Sequence, residues 1–375
     1  MNYEIDFLPV GNGNNSGDAI ALRWWQGDWD RNKQKVMIID GGTKESGGAL
    51  VKHIQKYYKT DCVDYVVNTH PDKDHASGLT EILENLKVKE LWIHRPWCYI
   101  DQIIKFIDNP SNNFKRDKRT TTDSMRERFE QKYYQYARKL ETIATQKEIE
   151  IKEPYEGCQI GVFQVLSPNK DWHLYDLIPN SNKTKEISIE DSKQTSILES
   201  MREVCINVAE NMNIETLKEY NKEKGKTSEE NESSVILYAN LDGRGVLLTG
   251  DAGNEALQNA HNYALNKNIN ISKSLSFIQI PHHGSRRNVS PSILNKFIGN
   301  KNTNKKNSIV AFVSAGKDDD RHPRRVVINA FIRRGCKVIA TQGSTKRHCN
   351  GNVPQREGWI TAEPLPFYDK VESYE

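Results

Sequence analysis

The stretch Thr69-His70-Pro71-Asp72-Lys73-Asp74-His75-Ala76 constrains this chain more than any other, because it crowds two histidines and two aspartates into six residues. The run before it, Val63-Asp64-Tyr65-Val66-Val67-Asn68, reads as a buried strand. The run after it, Gly78 to Leu86, places apolar residues at 79, 82, 83 and 86, the spacing of a helix. Four side chains offering imidazole or carboxylate at the end of a strand suit a cation. A solvated turn in which Asp72 or Asp74 merely caps the helix is the blander reading.

Three other positions share this layout. Asp40 ends Lys35-Val36-Met37-Ile38-Ile39, Asp251 follows the strand 245–249, and His282/His283 follow the strand 274–280. If these strands share an orientation, their ends converge on one edge. Further strands are expected over residues 3–10, 19–25, 88–94, 159–167, 234–240, 308–314 and 337–341. Helices are expected over 48–58, from 252 to 264, and from Pro323 to Gly335, which has proline at its start and glycine past its end. Two stretches interrupt the strand pattern, about 95–150 and 174–231. The first carries Met125, Phe129, Tyr133, Tyr136 and Leu140 at roughly helical spacing, the mark of a packed amphipathic helix. The second is expected to be helical over 191–220 and flexible over 221–230. The tail from about 342 reads as irregular, and no internal repeat is evident.

Composition narrows the setting. With 36% hydrophobic and 27% charged residues the chain reads as soluble and globular. No apolar run approaches the ~20 residues of a membrane helix, and the N-terminus lacks the basic-then-apolar layout of a secretion signal. Six cysteines without a Cys-x-x-Cys pair fit free thiols in a cytoplasmic protein. The net charge of +3 conceals an asymmetry: residues 286–347 hold fifteen Lys/Arg against three acids. A basic block near a metal site suggests an anionic substrate, although a lysine-rich solvated surface is the plainer account. Trp24, Trp25 and Trp29 fit buried packing better than base stacking.

Ile-Ile-Asp40-Gly-Gly, His70-x-Asp72-x-Asp74-His75, Leu247-Leu248-Thr249-Gly250-Asp251-Ala252 and Pro281-His282-His283-Gly284-Ser285 resemble successive motifs of the metallo-β-lactamase fold superfamily. The closest flavour is the metallo-hydrolase domain of the DNA-uptake protein ComEC and its stand-alone relatives, with Ser314-Ala315-Gly316 and His322-Pro323 matching a further segment. The resemblance covers roughly residues 1–90, 155–180 and 231–345. It implies a single domain over 1–375, a four-layer αββα sandwich of two mixed β-sheets flanked by helices, with the two helical insertions and the tail added.

Carried over residue by residue, the resemblance assigns one metal to His70 and Asp72 and a second to Asp74 and His75. Asp251 bridges them, one of His282 or His283 completes the second site, and Asp40 orients a ligand from behind by hydrogen bonding. Two departures stand out. Asp72 occupies a position where histidine is usual, and Asn231-Glu232-Ser233-Ser234 lacks the further histidine ligand of the common motif. The implied cofactor is therefore two divalent ions, or one, with the extra carboxylate favouring manganese over zinc. His94 and His173 are candidates to compensate.

The implied activity is metal-dependent hydrolysis of a phosphodiester in DNA, RNA or a nucleotide, since a divalent ion brings the pKa of water toward neutrality and supplies a hydroxide nucleophile. Asp74 is the group expected to orient it, and His283 and His322 are candidates to protonate the leaving group, unless His322 simply flanks its helix. Arg286, Arg287, Arg321 and Arg324, with Arg325, suit phosphate clamping. Two other classes remain: hydrolysis of a small ester, lactone or lactam beneath the insertions as lids, and a catalytically weak interaction module of a multi-protein system such as antiviral defence, reached through the insertions.

Overall fold

The computed structural model describes residues 1–13, 15–112, 121–181, 207–210, 227–301 and 309–373. Its strands are β1 (Asn2–Phe7), β2 (Ala19–Trp25), β3 (Lys35–Gly41), β4 (Cys62–Val67), β5 (Lys87–Trp92), β6 (Glu150–Lys152), β7 (Gln159–Ile160) and β8 (Phe163–Ser167). They continue as β9 (Asn207–Ala209), β10 (Ile236–Leu241), β11 (Arg244–Leu248), β12 (Leu275–Gln279), β13 (Ile309–Val313), β14 (Cys336–Ala340), β15 (Lys346–Asn350) and β16 (Lys370–Glu372). Two seven-stranded sheets result, in the orders β15-β1-β2-β3-β4-β5-β6 and β14-β13-β12-β11-β10-β8-β7. Each is half parallel and half antiparallel: β3 to β6 run parallel in one, β11 to β14 in the other.

Alternation along the strands builds the layers. In β3, Met37 and Ile39 face the opposite sheet while Val36 and Ile38 face the helices Lys44–His53 and Leu79–Asn85. Successive side chains of a strand point to opposite faces, and both faces here are covered, so parallel strands read as unbroken apolar runs. Between the sheets Phe7, Phe277 and Phe312 pack edge-on, with Phe312 centred 5.4 Å from Phe7 and 5.2 Å from Phe277. The helices Asn254–Asn266, Pro291–Phe297 and Arg325–Ile332 cover the second sheet. The four-layer αββα sandwich of the metallo-β-lactamase fold is what the chain adopts.

The first insertion carries helices at Ile100–Asp108, Thr122–Arg128 and Gln135–Gln146, the last two joined by a widened turn over Phe129–Tyr133. These bury their own cluster, in which Trp97, Ile104, Phe129 and Tyr134 meet Leu174 and Ile178 from the second insertion. The helix expected over 191–220 lies largely outside the described residues. Within the described part the expectation fails: Asn207–Ala209 is a strand, paired antiparallel with β16.

The tail differs from its reading too. Lys346–Asn350 pairs antiparallel with β1. Its sequence, Lys-Arg-His-Cys-Asn, shows no apolar alternation: Arg347 joins an ionic cluster on one face, and His348 packs among Tyr3, Phe277 and Phe312 on the other. Glu4, Asp6 and Arg23 lie wholly buried on β1 and β2. Arg356 donates to both carboxylate oxygens of Asp6 at 2.8 Å and to Glu4 at 3.2 Å, Arg347 pairs with Glu4, and His53 Nε2 lies 3.1 Å from Asp6. Burial pushes the Asp6 carboxyl up, but His53 and Arg356 outweigh it and bring it down to about 2.

Asp6 gives the cluster a pH signature. An unfolded aspartate titrates near 3.9, so between pH ~4 and ~2 the folded state binds fewer protons than the unfolded one. The stabilisation is complete above that window and is lost as pH falls through it, by about 2 kcal/mol. Guanidinium unfolding curves recorded from pH 5 to 2 should show this loss, and Asp6→Asn should flatten the slope.

Candidate metal centre

The edge where the parallel strands of both sheets end collects the charged side chains. Asp40 closes β3, the His70–His75 turn follows β4, Asp251 follows β11, and His282 and His283 follow β12. The helix after the turn is pressed against the end of β3: Gly78 N donates to Gly42 O, and a Cβ on Gly78 would meet Gly41 O at 2.0 Å. This close approach sets His75 beside Asp40. At the other sheet His282, His283 and Gly284 hold three successive positive φ angles of 47°, 55° and 81°. Such a left-handed turn is costly for non-glycine residues and persists where the surroundings hold it. It brings both rings to the same side, so each Nε2 lies 3.8 Å from Asp251 Oδ2.

Asp251 is the hub. His75 Nε2 stands 3.3 Å and His70 Nε2 3.8 Å from its Oδ2. Asp72 Oδ2 is 3.7 Å from His70 Nε2, and Asp74 Oδ2 lies 3.9 Å from His75 and 4.0 Å from His283. Among the described residues, Nε2 of His70, His75 and His283 and Oδ1 of Asp251 are buried without a hydrogen-bond partner. Leaving such groups unmet is expensive. Two donors each ~2.0–2.2 Å from one zinc stand roughly 3–4 Å apart, which is the range found here and mostly beyond hydrogen-bond reach. The residues present fit a divalent cation, and the clusters Asp74/His75/His283 and Asp18/His75/Asp251 each gather three ligand atoms within 4.8 Å.

The second ring nitrogens are engaged. His75 Nδ1 donates to Asp40 Oδ2 at 2.8 Å, and Asp40 also accepts from Thr69 N and Oγ1. His283 Nδ1 donates to Ser314 O at 3.1 Å, and His70 Nδ1 lies 3.0 Å from Thr69 Oγ1. Such outer contacts fix ring orientation and tautomer. Burial takes His283 down to about 3, and burial with the nearby His75 lowers His70, so both rings are neutral. Burial also opposes charge on His75, but Asp251 and Asp40 outweigh it and raise its pKa well above the usual value. For Asp251 the balance is reversed, burial being outweighed by His75, His282 and His283, which hold it well below the usual carboxylate range.

The remaining expected residues lie at varying distance from this hub. His322 stacks on His282 at 6.4 Å, its Nδ1 3.6 Å from Asp319 Oδ2. Gly284 allows this, since a Cβ there would strike the Pro323 ring at 2.6 Å. Arg286 and Arg287 leave the same turn, Arg286 reaching Ser373 O, while Arg321 is exposed and Arg324 buried at the head of its helix. His94 and His173 are buried 4.6 Å apart and bonded to Pro154 O and the Tyr155 hydroxyl. They border His70 across a space of about 10 Å³, room for one water, also lined by Asn68, Tyr134 and Ser233. Trp24 and Trp25 are buried, and Trp29 is 36% exposed.

Several residues at the site carry no signal that sequence reading picked up. Asp18, in the loop before β2, accepts from Gln279 Nε2 at 2.8 Å and lies 3.8 Å from His75 Nδ1. Burial, against the pull of His75, raises its carboxyl to about 7. Its position just ahead of an apolar strand was the available clue. Gln279 also accepts from the backbone of Thr249 and Gly250, which steadies the turn that presents Asp251.

Residues 30–133 match the family model of the metallo-beta-lactamase superfamily. No curated protein matches the chain in sequence. Among solved structures the chain is similar to a diphosphatase from the PhnP family, at 10% identity over 93% of this chain and 98% of that one, with a TM-score of 0.38. It is also similar to the metallo-beta-lactamase SMB-1 (9% identity, 72% and 79% of the two chains, TM-score 0.28) and to the hydrolase AbOPH of the beta lactamase superfamily (11%, 73% and 86%, TM-score 0.30). Among the described residues no helix is long and apolar enough to cross a membrane. The family-model match spans residues 30–133, and the two seven-stranded sheets with their covering helices have the architecture of the metallo-β-lactamase fold.

Proposed function

We propose that this chain is a metal-dependent hydrolase of phosphodiesters, with nucleic acid or a nucleotide as substrate. The observation that carries the reading is the meeting of two basic loops at the Asp251 hub: Arg324 N donates to Gly284 O, which joins the His282–Arg287 turn to the Arg321–Arg325 segment. An anionic substrate approaching the cluster meets cationic side chains on both sides. His70, Asp72, Asp74, His75, Asp251, His282 and His283 hold the cation or cations, zinc or manganese, and Asp18 adds a buried carboxylate. A bound divalent ion supplies charge stabilisation and a nucleophile at neutral pH.

The chain's own groups then have separable tasks. Asp74, whose side chain is 42% exposed, orients the attacking water. His322, steadied by Asp319, donates the proton that the leaving oxygen needs. Arg287 and Arg321, both exposed, bind non-reacting phosphate oxygens, while Arg286, held by Ser373 O, and the buried Arg324 add positive charge behind them. Hydrolysis of bis-p-nitrophenyl phosphate, plasmid and single strands, with manganese or zinc and suppressed by chelator, is the expected result. No cleavage of any phosphodiester under either metal overturns it.

One observation favours a second reading, a small ester, lactone or lactam substrate. Tyr134 and His173 of the insertions sit beside His70 and narrow the space next to it. Turnover of nitrocefin or a lactone without phosphodiester cleavage would select that reading.

A further inference from the structure

We infer that Asn288 is a positioning residue that fixes the tautomer of His282 and thereby aims its Nε2 at Asp251. The inference rests on the reading of this cluster as a cation site, and on the hydrogen bonds made by the two ends of the Asn288 amide.

Asn288 has no exposed surface. Its amide nitrogen donates to Asp251 O at 2.7 Å, and it also lies 3.3 Å from Ala252 O and 3.3 Å from Thr227 Oγ1. Backbone carbonyls only accept, so this end of the amide is the NH₂ and the other end is the oxygen. That oxygen, Oδ1, lies 2.9 Å from His282 Nδ1. A carboxamide oxygen cannot donate, so Nδ1 carries the proton. The lone pair is then on Nε2, the nitrogen 3.8 Å from Asp251 Oδ2.

The neighbouring side chains follow from this. The Asn231 amide lies 3.2 Å from His282 Nδ1 and 2.7 Å from Thr227 Oγ1. Asn231 Nδ2 is the atom placed at both contacts; with Nδ1 a donor the amide is assigned the other way round, its oxygen accepting from the ring and from the Thr227 hydroxyl, while Thr227 Oγ1 accepts from Asn288. Asn231 stands in the stretch where the common motif supplies a histidine ligand. Here that stretch orients His282 instead.

The same residue ties three loops together. By bonding Asp251 O and His282 Nδ1 at once, Asn288 fixes the spacing between the hub and one of its four facing imidazoles. Partners of this kind change metal affinity by roughly 10–100-fold when removed.

The test reads the tautomer directly. In metal-free, ¹⁵N-histidine-labelled protein, two-bond proton–nitrogen correlations should show His282 protonated at Nδ1. Asn288→Leu, which keeps the volume and removes the amide, should move the proton to Nε2 and weaken cobalt(II) binding about 10–100-fold. Asn288→Asp retains an acceptor facing Nδ1 but loses the donor to Asp251 O, and should keep the tautomer while weakening cobalt binding. A wild-type His282 protonated at Nε2 overturns the inference without any variant, which covers an Asn288→Leu protein that does not fold. So does an Asn288→Leu protein that binds cobalt within threefold of wild type. Wild-type protein that takes up no cobalt would instead sink the hydrolase reading, while the tautomer still judges Asn288.

Discussion

Asp251→Asn should yield a folded protein that no longer takes up a divalent cation and that, on the proposed function, has no phosphodiesterase activity. The substitution preserves shape and removes one charge, at the carboxylate that four imidazole nitrogens face between 3.3 and 3.8 Å. Losing the partners behind a ligand costs about 10–100-fold in affinity, so losing the central ligand should cost more than about 100-fold. Titration calorimetry with manganese and zinc measures this, with circular dichroism as the check on folding. Binding at wild-type affinity and stoichiometry would remove Asp251 from the site. Asp72→Ala is the contrast: its carboxylate is a third exposed and stands 3.7 Å from His70 Nε2, so its effect should be smaller.

Arg356→Met should destabilise the protein by about 3–5 kcal/mol, the usual cost of stripping one partner from a buried ionic group. Glu4 and Asp6 would keep Arg23, Arg347 and His53, but Asp6 would lose both 2.8 Å bonds from Arg356. Packing goes as well, because the guanidinium lies 4.7 Å from the rings of both Tyr57 and Trp359. Denaturant unfolding monitored by tryptophan fluorescence is the measurement. A loss below about 1 kcal/mol would mean that the tail contributes little beyond a surface ion pair. Substitution far from the Asp251 hub should leave cation affinity unchanged, which separates the two clusters experimentally.

How much of this could be read in advance depends on whether a residue's task leaves a periodic trace. The parallel strands did, because β3, β4, β11 and β12 are buried on both faces and must be apolar throughout. The residues that end them, Asp40, His70 to His75, Asp251, and His282 with His283, stood out as polar groups directly after such runs. Asp18 lies among glycines and asparagines, where an aspartate is an ordinary turn former, so its burial was invisible. Asn288 and Gln279 act by accepting and donating at single atoms, and no spacing rule marks such residues. β15 leaves no apolar trace because Arg347 faces Glu4 and a histidine, His348, fills its place in the core, and 207–209 gives no strand signal of its own because its partner lies more than 150 residues away.

The ligand set is divided between the sheets. His70, Asp72, Asp74 and His75 follow a strand of one, and Asp251, His282 and His283 follow strands of the other. The clusters Asp74/His75/His283 and Asp18/His75/Asp251, which each gather three ligand atoms, both draw on the two halves. A bound ion would therefore act as a rivet between the two layers, beside the hydrogen bonds from Gln279 to Asp18 and from Val235 N to Thr69 O that join them at that edge. Its affinity becomes part of the folding free energy, growing as RT ln(1 + [L]/Kd). Loading with the cation should then raise the unfolding midpoint, and by more as its concentration rises above Kd.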